Sequence, residues 1–167
     1  MSYYKNYTSP LGEILIVSDG ENITGLWFEG QKYFKSALKD ELILKEDLPI
    51  LIKASNWLDD YFSGKSPKIT DLALKAEGSE FRKYVWEELC KIPYGKTITY
   101  GEIAKTIASK TNKEKMSAQA VGGAVGHNPI SIIIPCHRVI GSNNNLTGYA
   151  GGIDKKTKLL ELENVKL

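Results

Sequence analysis

Between residues 3 and 28 short runs of β-branched and aromatic residues alternate with turn residues, whereas beyond residue 49 the apolar positions fall three and four apart. Residues 3–8, 13–18 and 23–28 are separated by Ser9-Pro10-Leu11-Gly12 and Asp19-Gly20-Glu21-Asn22, which predicts a meander of three strands. A helix is predicted over 31–38. A second is predicted over 49–62, where Ile50, Ala54, Trp57, Leu58 and Tyr61 share a face and Ser63-Gly64 marks the stop. Ser63-Gly64-Lys65-Ser66-Pro67 has the chemistry of a turn or linker. The chain therefore divides into an N-terminal scaffold domain over 1–75 and a second domain over 76–167.

The second half reads as helical. Ser79 is a candidate N-cap for a helix with Phe81, Val85 and Leu89 on one face, ending before Pro93-Tyr94-Gly95. A short helix over 99–107 has Ile103 and Ile107 on its apolar side. A polar connection over 109–115 leads to another helix over 117–126. Two short helices joined by a polar turn predict a helix-turn-helix. The second of them carries Gly122, Gly123 and Gly126, each costing about 1 kcal/mol of helix propensity relative to Ala. Either a neighbouring helix packs closely there, or a ligand with a narrow groove does.

Composition narrows the classes. With 167 residues, 42% hydrophobic and 25% charged, the chain has enough apolar material for one good core or two small ones and is not a disordered polymer. Its apolar stretches are too short to span a membrane, and its first residues lack a signal-peptide core, so a cytoplasmic protein is expected. Two Cys and two His without CxxC or HxxxH spacing argue against structural zinc, and no phosphate-binding glycine loop appears. No metal or cofactor is expected. Charge is uneven: residues 1–75 carry net −2 and residues 76–167 net +4, the sign expected of a half that meets a polyanion.

The candidate chemistry lies in that basic half. Pro135-Cys136-His137-Arg138-Val139 sets a thiol beside an imidazole after Ile132-Ile133-Ile134. Pro135, with fixed φ and no amide hydrogen, is expected to end an extended ladder over the three isoleucines and turn the chain at Cys136. A thiol titrates near about pH 8.5 and only its thiolate is a strong nucleophile, so His137 is the candidate base. Neighbours on an extended segment point to opposite faces, so the imidazole reaches the sulfur either directly or through a water.

Several segments together resemble the methylated-DNA–protein-cysteine methyltransferases, also called O6-alkylguanine-DNA alkyltransferases. They are Ile92-Pro93-Tyr94-Gly95, Tyr100-Gly101-Glu102-Ile103-Ala104, Ala120-Val121-Gly122-Gly123-Ala124, Asn128-Pro129, Pro135 to Gly141, and Gly148-Tyr149-Ala150-Gly151-Gly152. The resemblance implies an α+β protein: an N-terminal ribonuclease-H-like β-meander with helices, and a C-terminal helical domain with a helix-turn-helix. It implies stoichiometric repair, in which O6-alkylguanine, with O4-methylthymine as a further candidate, is turned out of double-stranded DNA approached through the minor groove and its alkyl group passes to Cys136; a monomer without a cofactor is expected. By the same resemblance Glu163 orients His137, His137 deprotonates Cys136 through water, and Asn128 braces the turn. Tyr100 is implied to donate a proton to the departing base. Val139, Tyr149 and Ala150 would line the base pocket, and Gln119, Ala120, Gly122, Gly123 and Arg138 would meet the DNA. Gln119 stands where the family usually has an intercalating arginine, which implies weaker base flipping. Two other readings compete: a cysteine hydrolase, and a lesion-binding or regulatory protein of the same fold that transfers nothing.

Overall fold

The computed structural model describes residues 1–32, 41–113 and 115–166, and the chain divides into two compact units. One comprises residues 1–77 with Pro129–Ile133; the other comprises residues 78–128 and 134–167. The secondary structure is mixed α+β.

In the first unit, β1 (Ser2–Ser9), β2 (Gly12–Ser18) and β3 (Ile23–Phe28) form the antiparallel meander that the alternating runs predict. The β1–β2 turn closes Ser9 onto Gly12, whose φ of +120° suits a residue without Cβ. Asp19 shapes the next turn, its Oδ1 accepting from the amides of Glu21 and Asn22. Sheet order is β3-β2-β1-β4, because a short strand β4 (Leu42–Leu44) pairs parallel with β1. Ile14, Ile16, Leu26 and Phe28 are buried on one face and Leu15, Val17 and Trp27 on the other. Burial of both faces explains why β2 reads as an unbroken apolar run rather than an alternating one. Helix α1 (Pro49–Phe62) begins with Pro at its first position and packs on the sheet through Leu51, Ala54, Leu58 and Tyr61. The helix predicted over 31–38 lies mostly outside the described residues. Gln31 itself is not helical; its side-chain oxygen accepts from the Phe28 amide at 3.0 Å and its nitrogen donates to Ser131 at 3.2 Å.

The second unit holds α2 (Glu80–Cys90), α3 (Tyr100–Lys110), α4 (Ala118–Gly126) and α5 (Ile153–Leu162), with β5 (Ile98–Thr99) pairing parallel to β6 (Val139–Ile140). Ser79, Thr99 and Ser117 cap the first three helices, and Thr99 with Glu102 forms a full capping box. The core is Val85, Trp86, Leu89, Ile103, Ile107, Val121, Ala124, Leu159 and Leu160. Trp86 fixes α2 to α4 by donating its indole N–H to the Ala124 carbonyl at 2.9 Å.

The extended ladder expected over Ile132-Ile133-Ile134 is not there. Residues 131–133 form a turn in which Ile132 has φ +69° and the Ile133 amide donates to the Ser131 carbonyl at 2.8 Å. A β-branched residue in the left-handed region costs about 1–3 kcal/mol, so surrounding contacts hold this geometry against local preference. The Ser131 and Leu26 amides supply two of them, Ser131 donating to the Leu26 carbonyl and Leu26 to that of Pro129.

Candidate active site

Pro135, with φ −82° and ψ 65°, makes a second three-residue turn, closed by the Cys136 amide donating to the Ile134 carbonyl at 2.8 Å. Cys136, His137 and Arg138 then form one turn of 3₁₀ helix leading into β6. All three side chains are buried, where solvent cannot satisfy them. Asn128, just after α4, donates its side-chain N–H to the Ile134 carbonyl at 2.8 Å and also hydrogen-bonds the Cys136 sulfur.

Glu163, the residue after α5, accepts from three directions. His137 Nε2 lies 2.6 Å from Oε2, Arg138 Nε donates to Oε1 at 2.8 Å, and the Gly95 amide donates to Oε1 at 3.1 Å. Burial pushes the Glu163 carboxyl up, but the hydrogen bonds from His137 and Arg138, with the Arg138 charge, overcome it and hold it at about 2. Burial lowers His137 below the ordinary imidazole range, against the opposing pull of Glu163. The pair is therefore a neutral imidazole donating Nε2–H to a carboxylate whose charge Arg138 balances. Nδ1 of that tautomer is the basic nitrogen.

Arg138, expected at the DNA surface, is only 6% exposed. Besides Glu163, it donates to the Ile92 carbonyl at 2.8 Å and lies over the Tyr94 ring. A guanidinium buried to this degree, with Nε and Nη1 donating inside the protein, is not presented to a phosphate, so this position belongs to the carboxylate rather than to the DNA-facing set.

Burial pushes the Cys136 thiol up from its ordinary value, while Asn128, the charge of Lys156 and the Tyr149 hydroxyl pull it down without reversing the shift. At rest the sulfur is a protonated thiol, and the proton has to leave before attack. Tyr100, the first residue of α3, is half-buried; burial raises its phenol, and its oxygen lies 3.1 Å from Thr147 Oγ1. The structure thus gathers Cys136, His137, Glu163, Asn128, Tyr149 and Tyr100 in one unit. Val139 is buried in β6 and Ala150 is partly exposed in the loop before α5.

Gln119, Ala120 and Gly123 lie exposed on α4. A Cβ added at Gly123 or Gly126 would meet no atom within 4 Å, and at Gly122 only the Tyr100 ring at 3.8 Å. Close internal packing is therefore not why these glycines are there. Sequence reading missed Lys156, which is fully buried. Its place one turn before Leu159 and Leu160, on the apolar stripe of α5, is the signal that separates it from the exposed lysines around it.

A buried thiol beside a carboxylate-held imidazole, on a unit with capped helices in a helix-turn-helix arrangement, defines an α+β protein with a candidate cysteine nucleophile. Residues 80–165 match the family described as 6-O-methylguanine DNA methyltransferase, DNA binding domain, and residues 2–76 match its ribonuclease-like domain. The methylated-DNA–protein-cysteine methyltransferase of Haemophilus influenzae is 44% identical over 98% of this chain and 87% of its own length. That of Methanosarcina acetivorans is 46% identical over 96% and 97%. The crystal structure of Mycobacterium tuberculosis OGT in complex with DNA superposes with a TM-score of 0.83 at 40% identity, covering 96% of this chain and 92% of that one. The chain belongs to the 6-O-methylguanine DNA methyltransferase family.

Proposed function

We propose that this protein repairs double-stranded DNA by moving the alkyl group of O6-alkylguanine onto Cys136, once per molecule. The observation that carries the reading is the single constellation of buried thiol, neutral imidazole and ionised carboxylate at Cys136, His137 and Glu163. The family supplies the reaction class, and the geometry supports the assignment of parts.

The Cys136 proton passes through a water to His137 Nδ1, and Glu163 stabilises the imidazolium that forms. Sγ then attacks the alkyl carbon, an S–C bond forms, and the C–O6 bond breaks with its electron pair left on guanine. Tyr100, whose raised phenol keeps its proton until then, donates it to the base, and the proton on His137 returns through solvent to Tyr100. A thioether is the product, and nothing in the sequence suggests a route back to the thiol.

Access requires the base to leave its stack. The exposed face of α4, with Gln119, Ala120, Gly122 and Gly123, is the element we assign to the minor groove; its glycines give the backbone a close approach that internal packing does not require. The Val139 carbonyl, the Tyr149 ring and the Ala150 amide line the base pocket in this reading, and a monomer is sufficient. Among the described residues no helix is long and apolar enough to cross a membrane, and we assign the protein to the cytoplasm.

Mass spectrometry tests the assignment. After mixing with an O6-methylguanine duplex, the peptide containing Cys136 gains one methyl group and stops there. A lesion-binding regulator gains none, and a hydrolase turns over without retaining mass.

A further inference from the structure

Thr147 stands in the loop between β6 and α5 with φ +55°, a backbone region that a β-branched residue occupies only at a cost. Asn143 and Asn144 in the same loop share that sign of φ, but asparagine adopts it readily, and glycine would do so without steric penalty. Three contacts hold the threonine there. Its amide donates to Asn145 Oδ1 at 3.2 Å, its Cγ2 methyl fills the space that a Cβ on Gly141 would need, 2.7 Å away, and its Oγ1 lies 3.1 Å from the Tyr100 phenol oxygen. The third reaches another element. Tyr100 is itself placed by its ring, which packs on α4, where a Cβ at Gly122 would lie 3.8 Å from two of its carbons.

Oγ1 also lies 2.7 Å from the Leu146 carbonyl oxygen. A hydroxyl has one hydrogen, so it serves one of these two acceptors at a time. Beside a neutral phenol the closer carbonyl takes it, and Oγ1 can accept from the phenol. Once Tyr100 has given up its proton, the phenolate oxygen is the stronger acceptor, and rotation about the Cβ–Oγ bond brings the hydrogen to it without moving a heavy atom. The Leu146 carbonyl keeps a donor throughout, because Lys156 Nζ also donates to it at 2.6 Å. Burial first, and then the Cys136 charge, disfavour the phenolate; the Thr147 hydrogen bond opposes both.

We propose that Thr147 is a positioning residue for proton transfer: its hydroxyl receives the phenolate that forms when Tyr100 protonates the departing guanine. The inference rests on reading Cys136 as the alkyl acceptor and Tyr100 as the proton donor. The phenol O–H bond breaks, its proton goes to the base as the C–O6 bond breaks, and the charge left on Tyr100 is held by Thr147 until the proton on His137 returns through solvent. That bond forms only as the proton leaves, so it favours the transition state over the bound substrate.

Two reagents separate this role from a structural one. The guanine of free O6-benzylguanine leaves with a proton, whereas iodoacetamide alkylates the sulfur with loss of iodide, which needs none. Thr147→Val keeps the shape and removes the hydroxyl; the limiting single-turnover rate with O6-benzylguanine is expected to fall about tenfold at an unchanged half-saturation concentration, the loss of one hydrogen bond to a charged group. Iodoacetamide labelling of Cys136 in that variant, and the O6-benzylguanine rate of Thr147→Ser, are expected to stay within about twofold of the unaltered protein. Tyr100→Phe is expected to lose about 100-fold, and adding Thr147→Val to it costs nothing further. An equal loss with iodoacetamide, a Ser variant as slow as the Val variant, or a Thr147→Val effect undiminished in the Tyr100→Phe background would overturn the proposal.

Should Thr147→Val fail to fold, Thr147→Ala relieves the β-branch and also lacks the hydroxyl; the same split between the two reagents is expected, and an unaltered O6-benzylguanine rate would overturn the role. If Tyr100→Phe reacts at the unaltered rate, the proton-donor reading falls and this inference with it. If Tyr100→Phe is slow and Thr147→Val is not, this inference falls alone. If an O6-methylguanine duplex leaves no methyl on Cys136 while the coupling of Thr147 to Tyr100 persists with the free base, the proposed function fails and the positioning role stands.

Discussion

The second unit contains two thiols in contrasting surroundings. Cys90 is the last residue of α2, where burial and then the nearby Glu87 charge push it up to about 11. The negative end of the helix dipole acts in the same direction. Burial pushes Cys136 up as well, but there Asn128, Lys156 and Tyr149 all oppose it. Desolvation is thus common to both and does not distinguish them. The difference lies in the donors and cation that await a thiolate at one site and the carboxylate that repels it at the other. A base within the same turn completes the contrast, since His137 follows Cys136 and neither neighbour of Cys90 is a histidine.

The hardest test is to exchange each sulfur for a hydroxyl. Cys136→Ser is expected to abolish methyl retention, whereas Cys90→Ser leaves the stoichiometry and rate unchanged, read by intact-mass spectrometry after incubation with an O6-methylguanine duplex. Any methylated protein in the first variant, or loss of transfer in the second, breaks the contrast.

Next in size is Glu163→Gln. Removing the carboxylate leaves the Arg138 guanidinium buried without its counter-charge, a loss of about 3–5 kcal/mol of stability, measurable by urea denaturation. The imidazolium that must form on His137 loses its partner too, so transfer slows well beyond what the stability loss explains. The acid limb checks the same group. Glu163 is held at about 2, below the ordinary carboxylate range, so its contribution to stability is present above the unfolded value. That contribution is lost as pH falls towards about 2. Glu163→Gln should flatten this limb, and an unaltered limb would assign the acid sensitivity elsewhere.

Much of this arrangement is legible in the sequence. Pro49 and Ser63-Gly64 bracket α1, Ser79 writes the start of α2, and Pro135 marks the turn at Cys136. What escapes reading depends on partners distant in sequence. β4, β5 and β6 have two or three residues each and exist because another strand pairs with them. Ile132-Ile133-Ile134 has the composition of a strand, yet tertiary hydrogen bonds bend it. Arg138 looks like a surface cation until Glu163 is brought to it, and Lys156 is one of three lysines in Asp154-Lys155-Lys156-Thr157-Lys158 until the fold buries it alone.

The pH profile of transfer is a smaller test of the Cys136 side of the contrast. His137 lies below the ordinary imidazole value, so the base is already neutral above about pH 6.5. Cys136 lies above the ordinary thiol value, so the resting pair is thiol and neutral imidazole, and passing the proton from one to the other leaves the proton count unchanged. The single-turnover rate with free O6-benzylguanine should therefore be level between about pH 7 and 8. A rise of about tenfold per unit there would mean that the thiol loses its proton to solvent and not to His137.

The smallest expected effect concerns how substrate reaches one thiol, not how reactive that thiol is. Gln119 is exposed on α4 and neutral, so it can hydrogen-bond an orphaned base but brings no charge and no planar cation to the stack. Gln119→Arg adds both, at a cation–π gain of about 0.5–1 kcal/mol for an exposed site. Affinity for an O6-methylguanine duplex should rise about two- to fivefold, and the salt dependence of binding should steepen by about one ion. Because the change touches neither the Glu163 network nor the donors around Cys136, reaction with free O6-benzylguanine and iodoacetamide labelling of both thiols should stay as they are. Unchanged duplex affinity and transfer rate would show that Gln119 is not the residue that meets the opened stack; a change in labelling would show that α4 and the sulfur are coupled.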